Sequence, residues 1–187
     1  MIIMKKFILA TVFMFFVGHI SAQDEEIIIP EIGFGLKAGL NSMHNKTVNE
    51  SSDNVQKKSG VYIGAFVNIP TSDIFSVQPE IIYSSTEFQG RNNASFLHIP
   101  VLLNFELGNG FSGFIGPEGQ VLIDLGEAEN SDLYNSFMFG FTFGARYQIT
   151  PNFYIEGRPY FALSKFIEED TGYRKFNTLQ IGLAFKF

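Results

Sequence analysis

The chain has 187 residues, of which 45% are hydrophobic, 16% aromatic and only 17% charged, and its formal net charge is -6. So little charge beside so many aromatic residues argues against a disordered chain, and the length suits a single domain. An acidic chain without a basic stripe is a poor binder of nucleic acid. Because the sequence contains no Cys, thiol catalysis, iron–sulfur sites and disulfides are excluded.

The first 22 residues have the pattern of a secretory signal peptide. Lys5 and Lys6 form a basic start, residues 7–17 form an uncharged apolar run, and the small residue Ala22 suits the cleavage site. The alternative, a membrane anchor helix, would need a longer apolar core. We therefore divide the chain into a signal peptide over 1–22, a periplasmic lead-in over 23–32 and one folded domain over 33–187.

The folded domain alternates apolar and polar residues with a period of two. In the clearest segment, every second residue from Phe137 to Phe143 is a Phe. Strict alternation over about ten residues is typical of a strand with one apolar and one polar face. Eight strands are predicted in this way: 33–41, 61–69, 75–84, 97–106, 115–121, 137–147, 153–163 and 178–187.

Short and long connections alternate between these strands. The short ones have residues suited to tight turns, because Gly and Asn accept positive φ and Pro presets φ. They lie at 70–73, 108–110 and 149–152. The long, polar ones are predicted over 43–59, 87–95, 124–135 and 165–175. In an up-and-down arrangement all the long connections lie at one end, the long-loop end, and the turns lie at the other, the short-turn end.

Alternation alone does not distinguish a soluble, lipocalin-like barrel with an apolar core from a membrane barrel with an apolar coat. The charges of the polar face favour the membrane barrel. Unpaired charges inside a narrow lumen would cost several kcal/mol each, and the polar face has equal numbers of positive and negative charges, as an enclosed lumen requires. We predict a structural network of four cations and four carboxylates in the lumen: Lys37, Arg146, Arg158, Lys186, Glu80, Glu106, Glu118 and Glu156.

Two further features favour a membrane barrel. Eight strands of about ten residues, with long loops at one end and short turns at the other, match outer-membrane barrels. The chain also ends on Ala184-Phe185-Lys186-Phe187. By resemblance to other such proteins, Phe187 would be the signal that barrel-assembly machinery reads. The predicted fold is therefore all-β, an eight-stranded antiparallel up-and-down transmembrane β-barrel with a lumen that side chains nearly fill.

Four prolines fall inside the predicted strands, where each removes a donor from the hydrogen-bonded ladder. They are Pro79, Pro100, Pro117 and Pro159. Because a closed barrel has no edge strand to hold them, we expect bulges or strand ends beside them.

Four short motifs resemble the PorT-like outer-membrane β-barrel family of Bacteroidota. They are residues 33–39 (GFGLKAG), 77–80 (VQPE), 99–103 (IPVLL) and 116–117 (GP). The resemblance extends over nearly all of residues 23–187, and it accounts for three of the four prolines. It implies an outer-membrane location and, through the family's named member, an association with protein secretion.

Few residues in the sequence point to chemistry. His98 lies on a predicted strand and faces the lumen, with Ser95 and Glu106 nearby in sequence, but a lipid-modifying barrel would present a catalytic set to the bilayer. We therefore expect His98 to make structural hydrogen bonds. The acidic residues of the third long connection match no calcium-loop spacing. No catalytic residue, metal ligand or cofactor site is assigned.

The functional hypothesis is a non-enzymatic scaffold whose long loops contact partners, because loops carry variable chemistry on a rigid frame. Its expected partners are outer-membrane lipid, the barrel-assembly machinery and an extracellular or secretion partner. Three alternatives stay open: a narrow pore along the lumenal charges, a lipid-modifying enzyme, and a soluble lipocalin-like binder.

Overall fold

The computed structural model describes residues 31–49, 52–89, 92–124, 136–164, 167–169 and 172–187. The predicted signal peptide, most of the lead-in and nearly all of the acidic third connection lie outside these residues. No described residue belongs to a helix long and apolar enough to cross a membrane.

Nine antiparallel strands form one sheet in the described part of the chain. They are β1 (Gly33–Asn49), β2 (Ser52–Pro70), β3 (Phe75–Gln89), β4 (Asn92–Gly108), β5 (Phe111–Asp124), β6 (Phe137–Gln148), β7 (Phe153–Ala162), β8 (Ile167–Glu169) and β9 (Gly172–Lys186).

The sheet closes on itself because β1 pairs with both β2 and β9. Each of β1 to β6 pairs with the next strand in the chain, and β7 pairs with β9. The three-residue β8 pairs with the beginning of β9 and takes no part in the closure. Eight strands therefore form the barrel wall, which confirms the predicted eight-stranded antiparallel fold.

The strands are longer than predicted. They extend through much of the segments 43–59 and 87–95, which were predicted as loops, and β1 stays in register with β2 as far as Asn49↔Ser52. β8 and the start of β9 likewise lie within the fourth predicted connection. The reason is that apolar alternation marks only the part of a strand that faces lipid, whereas backbone pairing continues where both faces of the sheet meet water.

The apolar side chains point out of the barrel and the polar ones point in. Leu40, Ile63 and Phe137 are 67%, 61% and 61% exposed, whereas the lumenal Gln78 and Glu156 are 0% and 2% exposed. An apolar surface of this extent belongs in lipid. The soluble, lipocalin-like alternative would bury these residues and is therefore wrong.

The β4–β5 turn shows the backbone chemistry expected of a short connection. Gly108, Asn109 and Gly110 have φ values of 86°, 54° and 79°. Residues other than Gly, Asn and Asp rarely adopt these φ values. This sequence therefore suits a turn that reverses the chain within three residues.

The expectation of bulges beside the prolines is wrong. The β3–β4 register is the same at Pro79↔Val101 and at Ile82↔His98. The register shifts of β3, β4 and β5 lie instead near strand ends, at 87/89, 95/96 and 106/108. A proline within a strand lacks only one donor, and neighbouring pairs on both sides keep the strands aligned.

A closed barrel of this kind predicts heat-modifiable electrophoresis. Because every wall strand is hydrogen-bonded on both sides, unfolding should require boiling in detergent. We expect unboiled and boiled samples to migrate differently on a gel, with β-type circular dichroism only before boiling. Identical migration of the two samples would contradict a closed barrel.

Candidate functional site

The polar face of the strands places six of the eight predicted charged residues inside the barrel. All six are at most 7% exposed: Lys37, Glu80, Glu118, Arg146, Glu156 and Arg158. Glu106 is exposed and Lys186 is partly exposed. These two lie at the short-turn end, where the barrel mouth opens to water, and neither forms an ion pair with the other six among the described residues.

Lys37 lies at the centre of the lumenal charges. Its Nζ atom donates to Glu80 Oε1 and to Glu156 Oε1, each at 2.7 Å. These three residues come from β1, β3 and β7, so a single ammonium group links three walls of the barrel. Water does not compete for these ion pairs, because the three side chains are at most 1% exposed.

Two arginines complete the set. Arg158 Nη1 donates to Glu80 Oε2 at 2.6 Å, and its Nε donates to Gln180 Oε1 at 2.7 Å. Arg146 donates from Nη2 and Nε to Glu156 Oε2 at 3.1 and 3.3 Å. Each carboxylate therefore has two cationic partners. We call Lys37, Glu80, Arg146, Glu156 and Arg158 the charged belt.

Glycines on the same face leave space for the large aromatic side chains that lie beside the charged belt. A Cβ atom at Gly182 would lie 2.3 Å from Tyr62 Oη and 2.4 Å from the carbonyl oxygen of Ala38. The Tyr62 side chain can extend from β2 over β1 to β9 here only because residue 182 has no side chain. The Gly-rich polar face thus fits an interior crowded with a few large polar residues.

A second buried cluster surrounds His98. Its Nε2 lies 2.7 Å from Ser84 Oγ and its Nδ1 lies 2.8 Å from Glu118 Oε1, while Gln120 Nε2 donates to the same glutamate oxygen at 2.9 Å. We call these four residues the His98 cluster. The residues near His98 in sequence are not its partners, because Ser95 pairs with Tyr83 Oη at 2.9 Å and Glu106 lies at the short-turn end.

The order Ser84–His98–Glu118 matches the hydrogen-bonding order of a catalytic triad. The three residues are, however, only 1%, 2% and 2% exposed, so a substrate has no path to the serine in this conformation. Sequence reasoning placed Glu118 in the lumen but did not identify Ser84 and Glu118 as the partners of His98, because they lie on the strands on either side of β4. The cross-strand register of the structure, which sets His98 opposite Ile82 and Gln120, brings Ser84 and Glu118 within reach of the imidazole.

Next to the charged belt, a polar cleft of about 200 Å³ opens at the short-turn end. Arg146, Tyr154, Glu106 and Lys186 contribute to its lining. The Arg146 guanidinium carbon lies 5.9, 5.5 and 5.7 Å from the ring centres of Phe66, Phe114 and Tyr154. The cleft therefore ends on a cation that is held by aromatic rings and by Glu156.

The comparisons with known proteins agree with this architecture. A family described as outer membrane protein beta-barrel domain matches residues 21–168. The crystal structure of neisserial surface protein A has a TM-score of 0.52 and 14% identity, with 84% of this chain and 100% of that chain covered. That of Ail, the attachment invasion locus protein of Yersinia pestis, has a TM-score of 0.50 and 13% identity, with 83% and 99% covered.

At these identities the two structures show a shared fold and no more. No curated protein matches the sequence. The family match extends over more than half of the chain, and the barrel, with its apolar exterior, is one built for the bacterial outer membrane. The chain therefore belongs to the outer membrane protein beta-barrel domain family.

Proposed function

We propose that this protein is a non-enzymatic scaffold whose long-loop end contacts partners outside the cell while its lumen stays closed. The observation that carries this proposal is a one-sided extension of the sheet. The apolar alternation of β1 ends at Leu40, yet pairing with β2 continues from Asn41↔Gly60 to Asn49↔Ser52. At about 3.3 Å per residue, this adds roughly 30 Å of strand beyond the lipid-facing part.

β9 follows the same extension, because it pairs with β1 as far as Asn49↔Gly172, and β8 adds three residues beside it. On the opposite wall, β6 begins only at Phe137 and β7 ends at Ala162. We call the extended parts of β8, β9, β1 and β2 the protruding sheet. A hydrogen-bonded sheet that rises from one side of a barrel is more ordered for partner contact than unpaired loops of the same length.

The charged belt supports the closed lumen over the alternative of a narrow pore. An ion that passed through the lumen would have to break the ion pairs of 2.6–2.7 Å that Lys37 and Arg158 form with Glu80 and Glu156. The absence of a path to Ser84 likewise favours a structural role for the His98 cluster over the alternative of an enzyme. PorT-like membership and a link to secretion rest on the sequence motifs and stay predictions.

Phe187 is proposed to guide assembly of the barrel. Its side chain is 71% exposed, and its backbone N–H donates to the carbonyl oxygen of Phe34 at 2.9 Å. The terminal residue thus lies at the seam between the last strand and the first, with its ring on the outer surface. A seam residue with an exposed aromatic ring, which packs only edge-on against Phe185 at 5.1 Å between ring centres, is well placed for recognition by assembly machinery.

Single-cysteine variants test the proposed function, because the natural chain has no Cys. Lys58→Cys places a thiol at the long-loop end and Asp73→Cys places one in the β2–β3 turn. A membrane-impermeant maleimide applied to intact cells is expected to label Lys58→Cys alone, since short turns of outer-membrane barrels face the periplasm. A photo-crosslinker attached at position 58 is then expected to capture a partner.

Labelling of Asp73→Cys alone on intact cells would reverse the proposed orientation. Crosslinking at position 58 that yields only the uncrosslinked barrel, under conditions where the maleimide reacts fully, would contradict a contact function of the long-loop end. Discrete conductance steps in planar bilayers would contradict the closed lumen.

A further inference from the structure

The charged belt leaves a positive charge beside the polar cleft of the short-turn end. The belt has three cations but only two carboxylates. The other buried carboxylate of the described lumen, Glu118, lies six residues further along β5 than Ser112, which is opposite Arg146. Glu118 is therefore on the long-loop side of the belt, where it bonds to His98 and Gln120. The side of the belt that faces the cleft is consequently positive.

Arg146, at the floor of the cleft, has unused hydrogen-bond donors. A guanidinium group carries five N–H groups. In the described part of the chain three of them are bonded, two to Glu156 Oε2 and one to Gln78 Oε1. One N–H on each terminal nitrogen is left, although the side chain is only 8% exposed. A buried cation with spare N–H groups is suited to bind an oxyanion.

Ser76 adds a second donor on the wall of the cleft. Its Oγ atom accepts from Asn68 Nδ2 and from Asn104 Nδ2, each at 3.0 Å. A hydroxyl group has two acceptor lone pairs and one O–H donor. Because the two amides occupy both acceptor positions, the O–H of Ser76 is left to donate to a ligand in the cleft.

Lys186 brings a further cation to the mouth of the cleft. Its side chain lies over Gly33 on the inner face of β1, with Nζ 3.1 Å from the place of a Cβ atom on that glycine. No described carboxylate forms an ion pair with Lys186. Glu106 and Asp73 also line the cleft, but both are exposed, so water weakens their charges more than that of the buried Arg146. The lining therefore favours an anion over a cation.

The cleft opens at the short-turn end. On the far side of the belt, the described lumen is filled by buried side chains, including Met43, Phe96 and Met138, each at most 4% exposed. We propose that the cleft is a binding site for the carboxylate or phosphate group of a small molecule. Because the short turns of outer-membrane barrels face the periplasm, the ligand would enter from that side. The site goes beyond the proposed contact function and needs no partner at the long-loop end.

The volume of the cleft limits the size of its ligand. About 200 Å³ corresponds to roughly seven water molecules at ~30 Å³ each, whereas drug-sized ligands occupy pockets of about 300–1,000 Å³. The ligand would therefore be a small solute, or the head of a larger molecule whose remainder stays outside. The rings of Phe66 and Tyr154 line the same space and offer an apolar wall to its carbon atoms.

Chemical-shift mapping by nuclear magnetic resonance tests the proposal on the mature chain in maltoside micelles, which contain no phosphate. Inorganic phosphate and acetate are titrated separately, with sodium chloride adjusted to keep the ionic strength constant. We expect saturable shifts of the amide signals of Ser76, Ser112 and Arg146, and none at Lys58 on the long-loop end. Shifts that do not saturate, or that chloride alone reproduces, would overturn the proposal.

Three variants, each of which removes one charge, locate the site. Lys186→Gln should weaken phosphate binding about three- to tenfold, because it removes a charge-assisted hydrogen bond at a partly exposed position. Glu106→Gln should tighten binding, because it removes a like charge from the lining. Lys58→Gln makes the same change of net charge as Lys186→Gln but at the other end of the barrel, and it should bind phosphate like the natural chain. Heat modifiability shows which variants are folded.

Equal weakening by Lys186→Gln and Lys58→Gln would overturn the proposal, since it would show an effect of net charge alone. If Lys186→Gln does not fold, an unchanged or weaker affinity of Glu106→Gln would overturn the proposal in its place. Adding a short-chain phosphatidylglycerol to the micelles distinguishes the two sources of phosphate. Competition with inorganic phosphate would support the site and assign it to a lipid headgroup, whereas an unchanged phosphate titration would support it and assign it to a free solute.

Discussion

Replacing Lys37 by Met is expected to lower the free energy of unfolding of the barrel by about 3–5 kcal/mol, the typical loss when a buried ion pair loses one partner. Lys37 Nζ lies 2.7 Å from both Glu80 and Glu156, and the residue is 2% exposed. Met keeps a similar length without the charge, so the two carboxylates would each retain a single arginine. The chain has no Trp, so unfolding in denaturant is best followed by far-ultraviolet circular dichroism in micelles.

Lys58→Met is the matched control. Lys58 Nζ lies 3.7 Å from Glu87 Oε1, and the two side chains are 29% and 54% exposed. Exposed pairs contribute about 0–1 kcal/mol, so this variant should unfold almost like the natural protein. Equal losses for the two variants would show that the charged belt does not stabilise the barrel more than a surface pair does.

The membership of the charged belt could largely be predicted because it depends on one property, the face of each strand. Lys37 and Arg158 are on the polar face by simple alternation, and the structure has both in the lumen. Alternation does not give the height of a residue along the barrel axis. Glu106 shares the polar face of β4 with His98 yet is exposed, because it lies two residues from the end of its strand.

Partners within the lumen were beyond prediction for the same reason. Which residues of β3 and β5 lie level with His98 depends on the register between strands, and a slip of two residues would leave every side chain on its predicted face. The short β4–β5 turn alone does not give the pairing of Glu118, because the register shifts beside that turn, between Glu106 and Gly108. The protruding sheet could not be predicted from the sequence either, since its strands lack the apolar alternation by which strands were recognised.

Replacing His98 by Leu is expected to lower the free energy of unfolding by about 1.5–3 kcal/mol, the range for a lost hydrogen bond to a charged group. Glu118 would then keep only its bond from Gln120, although it is 2% exposed. The double replacement of His98 and Glu118 by Leu should be less destabilised than the sum of the two single changes, because no uncompensated carboxylate remains.

The same variants separate a structural His98 cluster from an active site. A nucleophilic serine in a triad reacts with fluorophosphonates, whereas Ser84 is 1% exposed and should stay unlabelled in the folded barrel. Mass spectrometry of the intact chain detects the adduct directly. An adduct on Ser84 that disappears in His98→Leu while the barrel stays folded would contradict the structural role. With no adduct and a coupling energy of about 0.5–3 kcal/mol between His98 and Glu118, the hydrogen bonds of the cluster act to keep the crowded lumen in a single arrangement.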